Sequence, residues 1–156
     1  MSMELVVVSK GTKYVVQDKK SRVLYNVKKK GFGQRYVLLD TSNYHLYTLL
    51  QTAEGRKPAF SIILNDDEFL KLSCKSLFLD PTIIAEGKNM NYSIASKDRK
   101  NFDIIFNGVT VGHIATKQAM AGVFQYDLNI ENTAFDDYIP LFAVAIDIAF
   151  GDINKQ

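Results

Sequence analysis

The chain has 156 residues, 47% hydrophobic and 23% charged, with a formal net charge of +2 and one cysteine. This is an ordinary globular composition, and the length suffices for one domain, residues 1–156, with a real core. The lone Cys74 excludes an intrachain disulfide framework and a zinc site built from several thiolates, which fits a reducing compartment.

Met1–Val8 has no basic leader and its apolar run is too short for a signal peptide, so a cytoplasmic protein is expected. From there short strand-like segments follow one another, separated by turn residues. Glu4–Ser9 and Tyr14–Gln17 flank Lys10-Gly11, and Asp18–Ser21 leads to Arg22–Lys30. In that third segment Val23, Tyr25 and Val27 alternate with Asn26, Lys28 and Lys30. Gly31-Phe32-Gly33 turns the chain into Arg35–Asp40, and Thr41–Asn43 turns it into Tyr44–Leu50. Gln51–Lys57 reads as a polar loop before Pro58–Leu64, and Asn65–Asp67 leads to Glu68–Leu79. There Leu70, Leu72, Cys74 and Phe78 share a face opposite Lys71, Ser73 and Lys75, which makes Cys74 a small core residue. Thr82–Glu86, Asn89–Ser96, Phe102–Phe106, Val109–Thr116 and Val123–Ile130 complete the series. Asn107-Gly108 is the strongest hairpin signal, the pair preferred in a two-residue type I′ turn.

Only Asp136–Gly151 reads as a helix. Asp136 or Asp137 can cap it, Pro140 suits its first turn, and Gly151 offers a left-handed stop. From Tyr138 to Phe150 the only charge is Asp147. An apolar circumference belongs to a helix buried on all sides or one inside a bilayer. Some 14 residues span roughly 21 Å, short of the ~20 residues a bilayer core requires, so the buried reading holds. Asp147 then needs a partner, or a place where the helix end reaches solvent. With no alternation of strands and helices, a doubly wound sheet is unsupported. A mainly β fold is expected: a closed barrel of about twelve strands threaded by its own buried C-terminal helix.

The residues resemble the LURP-one-related and tubby-like superfamily. Tyr14–Asp18 followed by Val23–Lys28 is similar to its opening strand pair, and Tyr36–Asp40 with Leu46–Leu49 to the next. Asp137-Tyr138 running into Leu141–Ile148 is similar to its terminal helix. The resemblance implies a barrel of about twelve strands around a central hydrophobic helix. Tubby proteins bind phosphoinositides and phospholipid scramblases are related, but no lipid-binding residue of that group can be matched to a position here.

Charge is unevenly spread. Residues 1–36 carry nine Lys and Arg against Glu4 and Asp18, giving +7 and leaving −5 for the remainder. Lys28-Lys29-Lys30-Gly31-Phe32-Gly33-Gln34-Arg35 sets cations around a flexible turn with an aromatic at its tip. Such a loop suits an anionic surface, with Lys28, Lys29, Lys30 and Arg35 on headgroups and Phe32 in the interface. The residues by themselves favour a plainer reading, a hairpin kept soluble by its charges with Phe32 folded back on the barrel. The glycines lack the third glycine and following helix of a nucleotide loop. Asn65–Glu68 is an acidic turn without the spacing of a calcium loop. His45 and His113 form no metal motif; His113 alternates with Val109, Val111 and Ala115 and is expected to be a hydrogen-bonded barrel residue. No catalytic elbow, Walker loop or zinc-protease motif occurs, so no enzyme, metal or cofactor is expected. Eight tyrosines invite a nucleic-acid reading, but the acidic second half argues against it. The expectation is a binding or scaffold module, peripheral at a membrane through an anionic lipid. The alternative is a protein-interaction domain with no lipid role.

Overall fold

A computed structural model describes residues 2–31, 33–54, 57–76, 80–120 and 123–154. Twelve strands run β1 (Ser2–Lys10), β2 (Lys13–Gln17), β3 (Val23–Lys29), β4 (Arg35–Asp40), β5 (His45–Ala53) and β6 (Ala59–Leu64). They continue as β7 (Asp67–Ser76), β8 (Thr82–Gly87), β9 (Met90–Ser96), β10 (Asn101–Phe106), β11 (Val109–Met120) and β12 (Val123–Glu131). A single 3-10 turn, Asn132–Ala134, precedes the helix α1 (Pro140–Asn154). Each strand pairs antiparallel with the next, and β12 returns to β1 with Leu5 opposite Leu128, closing the barrel.

Alternation decides what lies inside. Leu5 and Val7, Phe60 and Ile62, Leu70 and Leu72, and Tyr126 and Leu128 are buried against α1. From Ile139 to Ile146 the helix has no exposed side chain, and at 15 residues it is too short to cross a bilayer. The barrel lumen is therefore filled by the chain's own helix. Asn107 and Gly108 both have positive φ, 49° and 87°, as a type I′ turn requires, with Phe106 facing Val109 across it. Asn65 and Asp66, also both left-handed, turn the β6–β7 hairpin in the same way.

Several details depart from the sequence reading. The helix starts at Pro140, and Asp136 and Asp137 lie in the turn before it. The Asp136 carboxylate accepts the Asp137 N–H at 2.7 Å, while that of Asp137 accepts the Tyr25 hydroxyl and so ties the helix start to β3. Gly151 does not stop the helix. A Cβ there would lie 3.1 Å from Asp147 Oδ1 one turn earlier, so the bare backbone makes room for that carboxylate. His113 is hydrogen-bonded, at 2.7 Å to Asp103, but on the outer surface. A bulge opposite Ile104 and Ile105 breaks the alternation, turning Val111 inward and His113 outward. Strand β11 also runs past Thr116, because Lys117 and Gln118 pair with Gln125 and Phe124 of β12. Phe78 lies outside the described residues.

Because the sheet is a continuous antiparallel meander, the β1–β2, β3–β4, β5–β6, β7–β8, β9–β10 and β11–β12 connections all fall at one end of the barrel. The remaining connections fall at the other end, and α1 begins there. It runs back through the lumen, so that Phe150 stacks on Phe102 of β10 with ring centroids 5.9 Å apart.

Candidate functional site

The first of these two ends gathers cations. In the β1–β2 hairpin Lys10 faces Lys13 across a turn at Gly11, whose φ of 68° suits glycine. Lys13 in turn lies directly opposite Lys28 of β3. Like charges in that position destabilise a sheet, so the fold gains nothing from the pair. The β3–β4 connection is closed by the Lys30 N–H donating to the Arg35 carbonyl at 2.9 Å. Gly31 and Gly33 are both left-handed, and the Gln51 N–H donates to the Gln34 carbonyl at 2.8 Å, bracing the loop against β5. Lys28, Lys29, Lys30 and Arg35 are all exposed on this hairpin, while Phe32 lies outside the described residues. Among the described residues none of Lys10, Lys13, Lys28, Lys29, Lys30 or Arg35 enters an ion pair.

Arg35 differs from the lysines by lining a groove of about 390 Å³ on the outer wall of β4, β5 and β6. Its other walls include His45, Thr48, Asn65 and Asp66, with His45 Nε2 at 2.7 Å from the buried Thr48 hydroxyl. The groove therefore holds donors at one side and a carboxylate at the other.

Sequence thirds are a poor guide to this end. Lys57, Lys75, Lys97, Arg99, Lys100 and Lys117 come from later strands and turn up here as well, and Lys117 is ion-paired to Asp127 at 2.7 Å. Conversely Lys19, Lys20 and Arg22, counted in the basic N-terminal third, sit in the β2–β3 hairpin at the opposite end, where Arg22 is bound to Asp18. The signal was available in the sequence, because alternate turns of a meander share an end. The acids here include Glu54, Asp80, Asp98 and the Asp127 that pairs with Lys117, and Asp98 is engaged by its own loop. Its carboxylate accepts the backbone N–H groups of Asn101 and Lys100, which holds its pKa well below the usual carboxylate range. The opposite end carries Asp40, Asp66, Asp67, Glu68, Glu86 and Glu131, with Asp136 and Asp137 before the helix.

Burial alone pushes the Cys74 thiol up to about 12, so it is not a thiolate nucleophile at neutral pH. Asp147 is bound by two phenols: Tyr14 donates to Oδ2 at 2.7 Å and Tyr126 to Oδ1 at 2.5 Å. Burial, then the neighbouring carboxylate, pushes both tyrosines far above their ordinary pKa. Among the described residues no group of His, Cys, Asp and Glu is placed to hold a metal.

A family model described as LURP-one-related matches residues 2–151. No curated protein matches the chain. An X-ray structure of an Arabidopsis thaliana protein is similar over 98% of this chain and 91% of that one, with a TM-score of 0.57 and 14% identity. At that identity the likeness speaks for the fold alone.

Proposed function

The chain belongs to the LURP-one-related family, and on that premise we propose that it is a non-enzymatic binding module for anionic phospholipid headgroups at a membrane surface. Lys28, Lys29, Lys30 and Arg35 make the electrostatic contact, and Phe32 enters the interface. The observation that carries this reading is the like-charge crowding of Lys10, Lys13 and Lys28 at one barrel end, free of ion pairs among the described residues. Each cation near an anionic leaflet contributes about 1 kcal/mol, so three or four support reversible binding. With the lumen filled by α1, the ligand meets the outside of the barrel, as a headgroup does. The protein so read is cytoplasmic and peripheral, with no cofactor.

A second reading, a protein-interaction domain with no lipid role, draws on the acidic end, where Tyr44 is 68% exposed beside acidic turns. Sedimentation with neutral and with anionic vesicles, at low and at physiological salt, separates the two. Binding to anionic vesicles only, weakened by salt and by neutralising Lys28, Lys29 and Lys30, is the expected result. No sedimentation at either salt would rule out the lipid reading.

A further inference from the structure

The charge of this molecule is arranged along the barrel axis. Each of the first five connections at the basic end carries at least one exposed lysine: Lys10 and Lys13, then Lys28 to Lys30, then Lys57, Lys75, and finally Lys97 and Lys100. In a closed ring of twelve strands the β3–β4 and β9–β10 hairpins are six strands apart, on opposite sides of the rim. The cations thus encircle the end of the barrel. The acids encircle the other end, where they outnumber Lys19, Lys20, Arg22 and Lys88.

Height makes this arrangement decisive. A strand of about seven residues tilted by about 40° gives a barrel roughly 20 Å tall. That exceeds two Debye lengths of about 8 Å at physiological salt. Charges at the far end are therefore screened from a surface that touches the near end. A barrel lying on its side would instead bring acids and lysines to the membrane together.

Resting on the headgroup reading above, we infer that the barrel stands end-on at an anionic bilayer, on a ring formed by all of these hairpins. Lys97 and Lys100 belong to the docking surface as fully as Lys28 and Lys29 do. Lys19 and Lys20 do not. The acidic end and the start of α1 face away from the membrane, and the C-terminal end of α1 faces toward it.

Three double variants remove the same net charge from three places: K28Q/K29Q, K97Q/K100Q and K19Q/K20Q. All six side chains are exposed, and circular dichroism with thermal melts verifies the fold of each. Partitioning onto mixed phosphatidylserine–phosphatidylcholine vesicles at physiological salt is expected to fall about thirty-fold for each of the first two pairs. It is expected to change less than about two-fold for K19Q/K20Q. If the wild type binds but K97Q/K100Q partitions like it, the barrel meets the membrane on one side only and the end-on placement is wrong. An equal loss in all three variants means net charge alone matters, which also overturns it. A wild type that binds no anionic vesicle overturns both this placement and the headgroup reading.

Discussion

The Tyr14 hydroxyl donates to Asp147 at 2.7 Å across 133 positions of sequence, joining the second strand of the barrel to the helix inside it. With Tyr126 on the other oxygen, Asp147 ties two strands of the barrel to the helix by polar contacts within a largely apolar core. Charged hydrogen bonds of this kind contribute about 1.5–3 kcal/mol each, and a buried phenol deprived of its acceptor costs its desolvation as well. Asp147→Ala is therefore expected to destabilise the protein by roughly 3–5 kcal/mol, and Tyr14→Phe by about half as much. Urea unfolding measures both. A loss below about 1 kcal/mol for Asp147→Ala would show that the carboxylate is not held in this way.

The same tyrosines set the alkaline limit of the fold. Tyr14, Tyr126 and Tyr138 all have folded-state pKa values raised above the ordinary 10, first by burial. Above pH 10 the unfolded chain loses these protons while the folded protein keeps them, so stability is fully present below 10 and falls as pH rises. Each such tyrosine contributes a slope of about 1.4 kcal/mol per pH unit. Phenolate absorbance should appear in a cooperative step together with loss of the circular dichroism signal. Smooth ionisation of every tyrosine near pH 10 in the folded protein would contradict this.

Lys13 opposite Lys28 sets stability against binding. Lys28→Glu turns a repulsive cross-strand pair into an attractive one, expected to raise stability by roughly 0.2–1 kcal/mol in a salt-dependent way. The same change is expected to weaken partitioning onto anionic vesicles. Opposite signs in the two measurements mark a pair kept for its surface. A variant both less stable and unchanged in binding would remove that interpretation.

Gly112 is a packing requirement. A Cβ there would lie 2.5 Å from the Asn129 carbonyl oxygen and 3.0 Å from Ile130 Cα, both backbone atoms of the adjacent strand. Gly112→Ala is expected to cost about 1–3 kcal/mol or more by forcing β11 from β12 near the bulge. A thermal melt unchanged from wild type would mean that the strands separate without cost.

Much of this architecture is written locally. Asn107-Gly108 needs only its own φ preferences, and the Leu70, Leu72, Cys74 face needs only the period of a strand. The apolar run Ile139–Ile146 implied a lumen because nothing else in the chain could surround it. What escaped the sequence depends on neighbours. The orientation of His113 is set by a bulge that exists only when β10 pairs with β11. Gly151 looked like a terminator but answers to a carboxylate one turn away. Of the candidate site, Lys28, Lys29, Lys30 and Arg35 could be read from one stretch. Lys97 and Lys100 join them only through the alternation of turns between the two ends.

The pairing of β1 with β12 also governs how the molecule is made. Ser2–Val8 finds its second neighbour only when Gln125–Glu131 has been synthesised, and α1 comes later still. Nearly every strand can zip to its predecessor as it emerges from the ribosome, yet the sheet has neither closure nor filling until the final segment arrives. Contacts spanning almost the whole chain make such folding slow. They leave the apolar inner faces of a nascent sheet uncovered in the meantime. Native folding is therefore completed after synthesis of α1, and the last helix acts as the commitment step of biogenesis.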